Sequence, residues 1–194
     1  MPQNPNDPRP AVSRALDQVE DLIKGITPEQ AQLPTPCSDF DVEQLVGHLL
    51  AVVRRIGVVL SGQPFHTVPS HRESSDWTGD WVRLRAETDA VLADDACLTR
   101  ETVVPWGTVP GAAALGMYIG ELTVHSWDLA QALGRTDALD PALAELALPA
   151  YHCALPAEPR GGERIPFGPV VEVGADAGPY ERLVAWTGRT PTPA

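Results

Sequence analysis

Apolar residues recur at three- and four-residue steps in several separate stretches of this chain. The first runs Val12, Leu16, Val19, Leu22 or Ile23, and Ile26, with Asp17, Glu20, Asp21 and Lys24 on the other face. That spacing predicts an amphipathic helix over about residues 11–26, loosened at Gly25. Thr27-Pro28-Glu29-Gln30 then places a glutamine three residues after a threonine, the start signal for one more short helical turn. The run LPTPCSDF cannot prolong that turn, because its two prolines exclude regular helix.

A second stripe (Leu45, Leu49, Val52, Ile56, Val59) predicts a helix over about 42–61. Asp41 is placed to cap it, Gln44 to close a capping box, and Phe40 and Leu45 to form a hydrophobic staple. His48 falls at the edge of that stripe. Residues 62–76, GQPFHTVPSHRESSD, show no period and carry two prolines, so they read as a long loop. Asp76 caps a third helix, about 77–94, with Trp77, Trp81, Leu84, Thr88, Val91 and Leu92 facing inward. Residues 99–109 read as extended chain around a Pro-Trp-Gly turn. A fourth helix, about 110–133, buries Leu115, Tyr118, Leu122, Leu129 and Leu133 and ends at Gly134, a left-handed cap. Asp140-Pro141 opens a fifth, about 141–153. Pro156–Gly178 is rich in proline and glycine, with VVEV as a candidate strand, and a short helix follows near 180–187.

These elements predict a mainly α protein, an antiparallel four-helix bundle with a short irregular C-terminal extension. The expected organisation is a flexible tail at 1–10, a helical bundle at 11–155, and an extension at 156–194 packed on the bundle. The 194 residues suffice for one domain with a real core. A net charge of −12, from 14 basic and 26 acidic residues, excludes the basic stripe that nucleic acid requires. No apolar run approaches the ~20 residues that span a bilayer, and the polar, proline-rich start lacks a signal-peptide core. Cys37, Cys97 and Cys153 lie far apart without a CxxC pair. Reduced thiols and a cytoplasmic location are expected.

The chemistry concentrates in GELTVHSWDLAQALG. Glu121 and His125 are four residues apart on one shoulder of the fourth helix's apolar stripe, so both project from the same side. Such a pair can be an exposed interaction worth roughly 0.2–0.5 kcal/mol. It can also be two-thirds of a metal site, and a carboxylate near a core needs a partner. His48, on a second apolar-faced helix, completes a His2Glu set, which zinc takes in sites that leave a fourth position open. Asp128, one turn beyond His125, is placed to orient it, or to sit on the helix surface. Cys37 precedes the His48 helix and either approaches the site or is a buried or inert thiol, the reading favoured here, and Trp127 is read as packing. His66 and His71 are read as solvated loop residues, and His152 carries no role.

The run from PTPCSDFDVEQLVGHLL to ELTVHSWDLAQALGR, then FGP and RLVAWTGR, resembles the mycothiol-dependent maleylpyruvate isomerase metal-binding domain family, of the DinB/YfiT-like superfamily of four-helix metalloproteins. The resemblance covers about residues 11–190. It implies a divalent metal, usually zinc, with nickel or iron(II) as alternatives, held by His48, Glu121 and His125. It also implies mycothiol as a thiol cosubstrate. The isomerase carries an additional C-terminal α+β domain for which this chain has no room. The expected activity is therefore a metal-dependent thiol transfer or isomerisation on an electrophilic substrate, with catalytic residues unassigned. A metal-dependent hydrolase and a non-catalytic metal- or ligand-binding module are the rival readings. Exposed apolar helix faces would allow a homodimer.

Overall fold

The computed structural model describes residues 6–161 and 167–191. Residues 1–5 of the expected tail lie outside that range. Helix α1 (Arg9–Ile23) begins two residues earlier than the apolar stripe requires. Asp7 supplies the reason: it accepts from the backbone N–H of Arg9 at 3.0 Å and from its guanidinium at 2.6 Å. Helix α2 (Val42–Leu60) starts at the expected capping box, with Asp41 accepting from Gln44 N and Gln44 accepting from Asp41 N. Between them the predicted helical turn at Thr27–Gln30 does not form a helix. Gln30 Oε1 accepts from Thr27 N at 3.0 Å, but the chain then folds back through a Pro34–Asp41 bridge. The proline-rich run deprives that turn of a continuation.

Helix α3 (Trp77–Leu92) is capped by Asp76, whose Oδ1 accepts from Gly79 N at 2.9 Å. A four-residue α4 (Ala96–Thr99) leads into an antiparallel hairpin of β1 (Glu101–Val104) and β2 (Gly107–Pro110), turning at Pro105-Trp106. Helix α5 (Gly111–Leu133) ends at Gly134, whose φ of 66° is the expected left-handed cap. Helices α6 (Pro141–Ala154) and α7 (Pro179–Trp186) follow. The predicted VVEV strand is absent. Among the described residues the two strands pair only with each other, and Val171 instead donates one backbone bond to Ala185 O at 3.0 Å.

The four long helices form a bundle in which α2 lies between α3 and α5, and α1 between α5 and α3. Their directions follow from named contacts. His48, early in α2, meets Glu121 in α5, while Leu60 at the end of α2 meets Gly111 at the start of α5. These two run antiparallel. Arg9 bonds Leu92 O and Arg85 bonds Asp17, so α1 and α3 are antiparallel too. By contrast, Arg135, just past α5, donates to Leu22 O, Lys24 O and Asp21 O at the end of α1, so α1 and α5 run together. It thereby satisfies carbonyls that a helix end leaves orphaned. Helices α2 and α3 share a direction as well. Residues 61–76 must therefore return the length of α2, roughly 28 Å at 1.5 Å per residue, which explains why that loop is long.

The core fills the space between these helices. Leu16, Leu22, Leu49, Leu50, Ile56, Trp81, Leu115 and Leu122 are fully buried within it. A smaller cluster (Val124, Ala144, Ala147, Tyr151, Leu155, Leu183) seals α6 and α7 against the outer side of α5. No helix among the described residues is long and apolar enough to cross a membrane.

Candidate functional site

Two glycines let second layers of chain reach the faces that carry His48 and Glu121. At Gly47, a Cβ would strike the His71 ring and lie 2.7 Å from Arg72 O. Its absence lets the returning loop press on α2, where Arg72 N donates to Gly47 O at 3.0 Å. The adjacent Ser70 O then accepts from His48 Nδ1 at 2.8 Å. At Gly120, a Cβ would strike the Tyr151 ring of α6, so the aromatic edge of α6 can sit beside Glu121.

These approaches bring His48, Glu121 and His125 to one wall of a cavity of about 510 Å³ between α2, α5 and the C-terminal segment. His48 Nε2 lies 3.5 Å from Glu121 Oε1. The His48 and His125 rings meet edge to face at 5.0 Å, and Phe40 stacks on His48 at 5.1 Å. Phe40 thus turns to the histidine. The Glu121 side chain keeps a quarter of its surface exposed, which leaves it reachable from the cavity.

Proton positions follow from the partners. A backbone carbonyl only accepts, so His48 Nδ1 carries a hydrogen and, in the neutral ring, Nε2 is bare. His125 Nδ1 lies 3.0 Å from Asp128 Oδ2. Burial disfavours charge on His125 and holds its pKa below the ordinary value, although Asp128 pulls the other way. Burial also opposes ionisation of Asp128, but His125 and Arg189 outweigh it and keep its carboxyl below the usual range. Asp128 is therefore a carboxylate that accepts from His125 Nδ1, leaving His125 Nε2 bare too. Burial likewise works against the Glu121 carboxylate, and His48 with His125 and Arg55 overcomes it, so its pKa is lowered. Two imidazoles, each with Nδ1 tied to a fixed acceptor, and a carboxylate therefore share one wall.

Asp128 is wholly buried and held by a fork: Arg189 Nε and Nη2 donate to Oδ1 and Oδ2 at 2.7 Å each. The Cys37, His125 and Asp128 ligand atoms lie within 4.8 Å of one another. Both Asp128 oxygens are already engaged by Arg189 and His125, however, which makes that trio a poor cage and Asp128 a support for His125. Burial pushes the Cys37 thiol above its ordinary pKa, against the opposing charge of Arg189. Cys37 lines the same cavity. The remaining sequence candidates fall elsewhere. Trp127 is buried packing, His66 meets Phe65 edge to face in the loop, His71 presses on Gly47, and the His152 ring sits 4.2 Å from Trp186.

Sequence reasoning missed Arg189, Arg55, Ser70 and Tyr151. Only Arg189 had left a signal, since an aspartate buried beside a histidine requires a cation, and RLVAWTGR supplies arginine at the far end of the chain.

A family model, the mycothiol maleylpyruvate isomerase N-terminal domain, matches residues 12–130. Two curated proteins of Mycobacterium tuberculosis, uncharacterized protein MT0763 (strain CDC 1551 / Oshkosh) and uncharacterized protein Rv0738 (strain H37Rv), are each 27% identical over 190 residues. Each match covers 95% of this chain and 98% of the relative. Among solved structures, mycothiol-dependent maleylpyruvate isomerase and a point mutant of it align with TM-scores of 0.47 and 0.49 at 13% and 12% identity. Those alignments take in 74% of this chain, which spans 65% of the isomerase's length.

Proposed function

Because the chain belongs to the mycothiol maleylpyruvate isomerase N-terminal domain family, we propose that it binds one divalent metal, zinc, through His48, Glu121 and His125. On this reading it is a thiol-dependent transferase or isomerase, with mycothiol as the cosubstrate that the family suggests. The observation that carries it is the facing of two side chains. His48 Nε2 stands 3.5 Å from Glu121 Oε1, a nitrogen and a carboxylate oxygen that need a proton or a cation between them. The donor set is one that zinc takes in sites with an open position. When bound, the metal would lower the pKa of a thiol brought to it.

The chain's own residues have definable tasks in that chemistry. Ser70 O and Asp128 engage Nδ1 of the two imidazoles, which presets the rings and leaves Nε2 of each as the ligand atom. Phe40 holds the His48 ring plane by stacking. Arg189 keeps Asp128 ionised, and through it His125 in the right tautomer. Burial raises the pKa of the Cys37 thiol in the metal-free protein, and on this reading the nucleophilic sulfur is that of the cosubstrate. The bundle at 11–155 supplies the donors and the extension at 156–194 supplies Arg189, so we read the two as one functional unit.

Elemental analysis of protein purified without chelator tests the proposal. One zinc per chain is expected in the parent and little in His48→Ala or His125→Ala. Full occupancy in both variants would remove the site. Adding mycothiol to cobalt-substituted protein should shift its visible spectrum. An unshifted spectrum with turnover of ester or amide substrates would transfer the site to hydrolysis.

A further inference from the structure

Two hydrogen-bond donors in the wall of the same cavity have no partner among the described residues. The Tyr118 hydroxyl is buried and unpaired, on a residue only 1% exposed. Arg55 gives one guanidinium N–H to Pro69 O at 3.0 Å, yet its Nε is buried without an acceptor. Both line the cavity that holds Glu121 and His48. Since α2 and α5 are antiparallel, Arg55 (seven residues after His48) and Tyr118 (three before Glu121) are displaced the same way along the bundle. They therefore lie to one side of the metal-type donors. Burial and the Glu121 charge hold the Tyr118 hydroxyl protonated far above neutral pH, against the pull of Arg55, so it acts as a donor.

We propose that Arg55 and Tyr118 form an anion subsite that receives a carboxylate of the acceptor substrate. Two donors with no acceptor beside them select an acceptor atom, because a buried unmatched donor is unfavourable. No carboxylate of the described residues lies within ion-pairing distance of Arg55, so the subsite favours an anion over a neutral amide. Trp106, at the hairpin turn, meets Tyr118 edge to face with ring centroids 6.4 Å apart, which provides an aromatic flank for a planar apolar body. As the place of a reacting acceptor, the subsite rests on the reaction proposed above; as a binding site it does not need the metal.

The test titrates benzoate and its uncharged isostere benzamide into metal-free and zinc-loaded protein by calorimetry. Benzoate should bind both forms, and benzamide should bind roughly tenfold more weakly or worse, the effect of losing a charged hydrogen-bond partner. Arg55→Gln and Tyr118→Phe should each weaken benzoate by a similar factor. Tyr118→Phe should also melt at or above the parental temperature, since it deletes only an unpaired hydroxyl, and so serves as the folded control. Equal binding of benzamide, or unchanged benzoate affinity in both variants, overturns the subsite. Benzoate binding that appears only after zinc loading also overturns it, by placing the anion on the metal, while supporting the metal itself. Benzoate binding as expected in protein that takes up no zinc supports the subsite and removes the metal reading instead.

Discussion

Arg189 grips Asp128 through two hydrogen bonds of 2.7 Å across 61 residues of chain. One member follows the last helix and the other stands one turn from His125. Because Asp128 is fully buried, this fork is what allows a carboxylate to exist beneath the histidine.

Replacing Arg189 with Met should accordingly do two things. It strands a buried charge, a loss of about 3–5 kcal/mol for a broken buried pair. It also releases His125, which should weaken zinc binding by about 10–100-fold. Urea denaturation and competitive zinc titration measure the two. Unchanged zinc affinity in a destabilised variant would reduce Arg189 to a structural role.

The pH dependence of the metal-free protein has a fixed sign. His125, Glu121 and Asp128 all have pKa values lowered in the folded state. The unfolded chain therefore binds more protons as pH falls. The contribution of His125 is present above its ordinary 6.5 and is lost as pH drops toward its depressed folded value. The contributions of Asp128 and Glu121 are present above 3.8 and 4.5 and are lost below, as pH falls through their folded values. Urea midpoints measured from pH 8 to pH 2 should decline first as His125 gains its proton and again in the carboxylate range, and Asp128→Asn should flatten the acid limb. A midpoint that rises on acidification would contradict the assigned charges.

Gly47→Ala and Gly120→Ala should both damage the site without touching a ligand. Each Cβ meets another element, the loop at His71 and Arg72 in one case and the Tyr151 ring in the other. Overpacking of this kind costs about 1–3 kcal/mol. For Gly47→Ala the loop must retreat, which withdraws Ser70 from His48, so zinc affinity should fall along with stability. Retained affinity in that variant would show that His48 needs no help from the loop.

Arg135→Met provides the contrast. It removes three hydrogen bonds to the end of α1 and should destabilise the fold by about 1–3 kcal/mol. Zinc affinity should stay at the parental value, because Arg135, ten residues past His125, is not among the residues that line the cavity. Loss of zinc binding in this variant would mean that the site reports general loosening.

The bundle was readable because each long helix carries its own apolar period and its own cap, both of which are local. Asp41, Gln44, Asp76 and Gly134 perform in the structure the tasks their positions imply. The shared side of Glu121 and His125 follows from helical geometry alone. What periodicity could not reveal is the course of the chain between helices. That α2 and α3 run the same way depends on residues 61–76, which have no repeating pattern. That course in turn places Ser70 against His48. Arg189 and Tyr151 were both hidden by sequence distance from the residues they meet. The stretch after Thr27 makes hydrogen-bonded turns but no helix, because the prolines stop it, and the VVEV strand failed for want of a second strand to pair with.

The crossover of residues 61–76 has a bearing on when this site can exist. Its wall draws on α2, the hairpin turn, α5 and the segment after α7, with the returning loop behind His48, all separated by long stretches of chain. Closing such loops is entropically slow, and contacts of large sequence separation arrive late in folding. A partly folded chain with α2 and α3 side by side would hold His48 but neither Glu121 nor its support. A ligand of the finished site therefore finds nothing to grasp until the fold is nearly complete. It would act on the rate of unfolding far more than on the rate of folding, as a latch and not as a template.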